Sequence, residues 1–110
     1  MPPERPPLAV LKLGGALLTD KAGREALRPD VLARLAAELA AWPPTRRGGL
    51  IVGHGSGSFA HVAVRESGFL ERPRDRLALA RVAAAAARLG GKVVAALIEA
   101  GLPAVGIPGA

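Results

Sequence analysis

The sequence predicts an α/β fold: an open, mainly parallel sheet with helices on both faces, in αβα layers. Three observations carry that expectation. The runs from Leu8 to Leu13 and from Leu50 to Val52 are apolar apart from Lys12, and continuous apolar character fits parallel strands covered on both sides. Longer segments with leucine, valine and alanine at helical spacing separate and follow them. Each run is followed at once by a glycine-rich loop, at the edge where open α/β sheets place their ligands.

Taken in order, Met1 to Pro7 is a polar, proline-rich tail, expected to be flexible. Leu8 to Leu13 is the first strand, ended by Gly14-Gly15. Ala16 to Arg28 is mixed in character, with the turn composition Asp20-Lys21-Ala22-Gly23 inside it. Pro29-Asp30 starts a helix, since proline is tolerated in the first turn and aspartate there complements the helix dipole. Leu32, Leu35, Leu39 and Trp42 share one face of that helix, Arg34 and Glu38 point away, and Pro43-Pro44 stops it. After a polar turn at Thr45 to Gly49 comes the strand Leu50-Ile51-Val52, then a short helix from about Phe59 to Glu66. Ser67 to Asp75 reads as loop and Arg76 to Ala100 as helix, kinked or broken at Gly90-Gly91. Gly101-Leu102-Pro103 is a helix stop, and Ala104-Val105-Gly106-Ile107 is expected to begin a third strand. No internal repeat or linker divides the chain. The last residues follow a strand with no covering helix behind them, so residues 1–110 read as one amino-terminal portion of a domain, incomplete at the carboxyl end.

Composition narrows the function. The chain has no cysteine, which excludes thiolate metal sites and cysteine nucleophiles and is compatible with a reducing cytoplasm. The formal charge is +6, but the arginines are scattered and tyrosine is absent, so the stacking aromatics of a single-strand binder are missing. Neither nucleic acid nor membrane is the expected partner. Arg81, Arg88, Lys92, Glu99 and the glycines between them interrupt the alanine-rich carboxyl stretch and argue against a membrane span. A soluble, cytoplasmic protein follows from these points.

The chemistry lies in the two loops. Gly14 and Gly15 lack Cβ atoms, so their N–H groups can approach an anion closely, with Lys12 on the strand adding a point charge. Burying that ammonium without a partner is costly, which favours a ligand for it. The second loop, His54-Gly55-Ser56-Gly57-Ser58-Phe59-Ala60-His61, offers the amides of Ser56, Gly57 and Ser58 to a common anion site. His61, near the start of the next helix, is a candidate phosphate donor, whereas His54 reads better as a core or capping histidine. Lys21 sits in a polar loop from which it can swing over a transferring phosphoryl group. No Gly-Lys-Ser or Gly-Lys-Thr completes a P-loop, the glycine spacing fails a dinucleotide fingerprint, and Ser58 is not in a nucleophile elbow. Metal ligands are not expected. Two such cradles suit a protein that holds two phosphorylated molecules face to face.

These residues resemble the amino acid kinase superfamily, and within it the isopentenyl phosphate kinases. Leu11-Lys12-Leu13-Gly14-Gly15-Ala16-Leu17-Leu18-Thr19-Asp20-Lys21 is similar to that family's opening motif, with Ala16 where serine is frequent. Val52 to His61 is similar to its second motif, with Ser56 and Ala60 in place of frequent glycines, and Ala100 to Val105 to the stretch entering the next strand. The resemblance implies transfer of the ATP γ-phosphate to isopentenyl phosphate, with Mg2+ accompanying ATP. It assigns Lys12, Leu13, Gly14, Gly15, Ala16 and Gly57 to ATP, and Gly55, Ser56 and His61 to the acceptor phosphate. Lys21, Lys12 and His61 become the catalytic group. Members of the family are commonly homodimers, and their carboxy-terminal half binds most of the nucleotide, so this chain alone is not expected to turn over. The alternatives are an acylglutamate-type or phosphonate kinase of the same superfamily, and a non-catalytic anion- or nucleic-acid-binding module.

Overall fold

A computed structural model describes residues 8–20, 27–43, 45, 49–68, 70–72 and 74–107, apart from the side chains of Ala60 and His61. Strand β1 (Ala9–Leu13) leads into a one-turn helix α1 (Gly15–Leu18), and α2 (Pro29–Ala41) follows. Strand β2 (Leu50–His54) precedes α3 (Gly57–Ser67) and the long α4 (Arg76–Glu99). The two strands pair in parallel, from Ala9 opposite Leu50 to Leu13 opposite His54. A parallel neighbour needs a crossover, which α2 provides.

The local signals act as their chemistry requires. Pro29 occupies the first turn of α2 with Asp30 beside it, and Leu32, Ala36 and Leu39 turn inward. Asp75 caps α4 by accepting from the Leu77 N–H at 2.9 Å and the Ala78 N–H at 3.3 Å. At the far end Gly101 takes a left-handed φ of 94°. There the Leu102 N–H donates to Leu97 O (3.0 Å) and the Gly101 N–H to Ile98 O (2.9 Å). This paired closure satisfies carbonyls that a helix end otherwise leaves open.

The core joins Leu13 from the sheet, Leu18 from α1, Leu32, Ala36 and Leu39 from α2, Phe59 from α3, and Leu89, Val93 and Leu97 from α4. Each large apolar side chain so buried contributes about 1.5–3 kcal/mol relative to exposure. Leu11, Leu50 and Val52 pack against this cluster from the sheet. Val10 (73 % exposed) and Ile51 (53 %) project from the other face, which is open among the described residues.

Four expectations need correction. Residues 102–107 form no ladder with β1 or β2; the Ala104 N–H instead turns back to Leu102 O at 2.8 Å. Their apolar character places Ala104 against the core but leaves Val105 and Ile107 exposed, because a strand exists only where an edge accepts its hydrogen bonds. Helix α4 runs through Gly90-Gly91 without interruption, since packing of its buried face outweighs the weak propensity of two glycines. Trp42 is not on the buried face of α2. It is the C-cap residue, in extended backbone, and its side chain is 39 % exposed. Finally, residues 15–18 form a helical turn within the segment read as mixed. The tail 1–7, the turn residues Lys21, Ala22 and Gly23, and Pro108 to Ala110 lie outside the described residues.

Candidate functional site

Both glycine loops lie at the carboxyl ends of the parallel strands, side by side. The pairing continues one residue beyond β2, with the Gly55 N–H donating to Leu13 O at 3.1 Å. That bond sets the second loop directly against the first. A Cβ placed on Gly55 would lie 2.9 Å from Gly15 N and 3.3 Å from its Cα. One placed on Gly15 would run into the backbone nitrogen of Gly57. Gly57 itself has φ +51°, and a Cβ there would meet Thr19 Oγ1 and come 2.6 Å from Gly15 O. The loops therefore interlock backbone to backbone, an approach that side chains forbid.

Thr19 closes the interlock, a role that no local residue pattern signals. Its side chain is 1 % exposed. The hydroxyl Oγ1 donates to Gly15 O at 2.8 Å and accepts from the Ser58 N–H at 3.1 Å. Thr19 N–H also donates to Gly15 O, at 3.1 Å. The same residue faces Leu27 in an isolated antiparallel bridge, and Arg28 N–H donates to Leu18 O at 2.7 Å. The chain thus leaves the clasp at Asp20 and re-enters it at Leu27.

The remaining donors are those that helix starts supply. Two helices begin at the clasp, α1 at Gly15 and α3 at Gly57, and the first N–H groups of any helix lack intrahelical acceptors. Two donors of α3 are already used: Ser58 N–H by Thr19, and Phe59 N–H by Ser56 O at 3.0 Å. The half-buried Ser56 is the N-cap residue, yet its side chain makes no capping bond. Gly14 has open space where a Cβ would stand. Of the expected site, the structure brings together Leu13, Gly14, Gly15, Gly55, Ser56 and Gly57, with Ala16 exposed on α1 beside them.

The charged members stand differently. Lys12 is exposed, on the open sheet face with Val10, and Gly53 is its register partner. Its ammonium therefore bears no burial cost that a ligand must offset. His61 belongs to α3, and its side chain lies outside the described residues, as does the whole of Lys21. His54 packs inward: its Nδ1 lies 3.1 Å from Gly55 O, and its ring borders Gly90 of α4. That placement fits the core or capping role expected for His54 from the sequence.

A groove of about 370 Å³ lies between α3 and α4. Phe59, Val62, Ala63 and Ala84 line it, with Glu66 and Arg81 among its polar residues. Among the described residues no cluster of three or more His, Cys, Asp or Glu side chains stands ready for a metal ion. Nor is any described helix long and apolar enough to cross a membrane.

Known proteins place this arrangement. The sequence model of the amino acid kinase family matches residues 7–110. Among solved structures, an isopentenyl phosphate kinase superposes with a TM-score of 0.78 at 31% identity, over 92% of this chain and 43% of its own. The isopentenyl phosphate kinase of T. acidophilum, as a product complex, matches at 0.73 and 28% identity, over 87% of this chain and 40% of its own. An isopentenyl phosphate kinase substrate complex matches at 0.72 and 29% identity, over 86% and 40%. No curated protein matches the sequence. The chain spans about two-fifths of the length of these structural relatives. On the match across nearly all its residues, this chain belongs to the amino acid kinase family.

Proposed function

We propose that the chain forms the acceptor side of an ATP-dependent kinase that moves the γ-phosphate of ATP to isopentenyl phosphate, giving isopentenyl diphosphate for isoprenoid synthesis. The observation that carries this reading is the clasp of two glycine loops at one sheet edge, with Gly55 held against Gly15. Two anion cradles in contact suit the in-line meeting of two phosphates, where catalysis consists mostly of positioning and charge stabilisation. The likeness to isopentenyl phosphate kinases supports the choice of acceptor.

In this reading the amides of Gly14, Gly15, Ala16 and Gly57, with Leu13 and Lys12, hold the nucleotide phosphates, and Mg2+ arrives with ATP. Gly55, Ser56 and His61 hold the acceptor phosphate. An oxygen of that phosphate attacks the γ-phosphorus, the bond to the β,γ-bridging oxygen breaks, and ADP departs. Lys21 offsets the charge that builds on the bridging oxygen, and Lys12 neutralises the phosphates around it. The apolar part of the acceptor lies along the α3–α4 groove, past Phe59 and Val62. A chain spanning two-fifths of such enzymes does not turn over alone in this account.

A chimera tests it: residues 1–110 grafted in place of the matching segment of the T. acidophilum isopentenyl phosphate kinase. ATP-dependent formation of isopentenyl diphosphate is expected. Loss of about 10²-fold or more in kcat/KM is expected on Lys21→Ala or His61→Ala, by analogy with removing one charge-stabilising donor. A folded chimera that phosphorylates N-acetylglutamate or a phosphonate instead, or that tolerates both substitutions, contradicts the proposal.

A further inference from the structure

Thr19 contacts both loops of the clasp. Its hydroxyl bridges the carbonyl of Gly15 in the first loop and the N–H of Ser58 in the second, residues far apart in sequence. Its backbone joins Leu27, closing the base of the segment that begins at Asp20. It is almost wholly buried. A buried hydroxyl with one donor and one acceptor bond has a fixed orientation, so a single oxygen bonds both loops, in addition to the Gly55 N–H to Leu13 O bond at the end of the ladder. Gly57 lies so close that no Cβ fits between its Cα and that oxygen.

We propose that Thr19 is the positioning residue of this site: its hydroxyl fixes the second loop on the first, so that an anion bound at one loop changes the affinity of the other. This rests on the kinase reading of the two loops. Coupling of this kind requires a contact that differs between states, and the Gly15–Thr19–Ser58 bridge is the side-chain contact that joins the two loops. An anion drawing on the Gly57 amide pulls on the start of α3, whose Ser58 N–H is tied through Thr19 to Gly15. Valine has the same shape without the hydroxyl and serine keeps the hydroxyl without the methyl, so two substitutions separate bonding from packing.

The experiment uses the 110-residue chain within the chimera described above, unaltered and with Thr19→Val and Thr19→Ser. The probes are isopentenyl phosphate and Mg·ADP, each titrated alone and with the other saturating. In the unaltered chain each probe is expected to change the affinity of the other about fivefold or more. Thr19→Val should abolish that coupling, and without ligand should lose hydrogen-exchange protection at the Ser58 amide while Leu89 in α4 stays protected. Thr19→Ser should restore both. Coupling that survives in Thr19→Val, or unchanged exchange at Ser58, overturns the proposal and leaves the kinase reading standing. Binding of both probes without coupling in the unaltered chain also overturns it alone. If the folded chimera carrying the unaltered chain fails to bind either one of the probes, the kinase reading falls, and this proposal with it.

Discussion

Two of the chain's three Gly-Gly pairs serve opposite ends. Gly14-Gly15 opens α1 where another backbone passes so closely that any side chain on Gly15 collides with Gly57. Gly90-Gly91 sits inside an unbroken helix, where a Cβ on Gly90 would only touch the His54 ring at 3.8 Å and one on Gly91 would meet nothing within 4 Å. The dipeptide is the same, yet of these two pairs only the first holds a glycine, Gly15, that its surroundings require. A glycine is therefore informative through what approaches it, which the local sequence does not show.

That contrast can be broken by substitution, with urea unfolding and phosphate binding as readouts. The largest effect is expected at Gly57→Ala, where a left-handed φ and the Thr19 and Gly15 oxygens both oppose a Cβ. Strain and overpacking together should remove about 2–5 kcal/mol of stability and abolish binding at the clasp. Gly15→Ala meets backbone atoms of Gly57 but keeps an ordinary helical φ, and should cost about 1–3 kcal/mol. Asp75→Ala, at the start of α4 and remote from both glycine pairs, should lose about 1 kcal/mol through its two capping bonds and leave phosphate affinity unchanged. Gly91→Ala should do the reverse of Gly15→Ala, stabilising the chain by about 0.5–1 kcal/mol as a better helix former in open space. Destabilisation by Gly91→Ala equal to that by Gly15→Ala would erase the distinction between the pairs.

Much of this architecture was legible in the residues. The strands announce themselves as apolar runs closed by glycine, and Pro29-Asp30 marks the start of α2 because those residues satisfy the constraints of a first helical turn. The clustering of the glycine loops followed from one rule, that parallel strands deliver their carboxyl ends to a common edge. What escaped depends on contacts rather than patterns. A four-residue helix such as α1 is too short to display a period. Residues 104–107 have strand-like character, but hydrogen-bonding partners decide, and the sequence of a segment does not reveal its neighbours. Thr19 reads as an ordinary polar residue after two leucines; its importance comes from Ser58, thirty-nine positions later. The open face bearing Val10, Lys12 and Ile51 likewise reflects what packs on the sheet, which apolar character alone does not specify.

The central claim is that the two loops form one paired anion site. Amide chemical shifts of the chain within the chimera, followed by NMR as isopentenyl phosphate and Mg·ADP are added at physiological salt, test it most directly. The account predicts that Gly14, Gly15 and Ala16 respond together with Gly55, Ser56 and Gly57, while the scattered arginine-bearing surfaces stay still. Shifts spread over the arginines and lost on adding salt, or confined to sites remote from both loops, would contradict it.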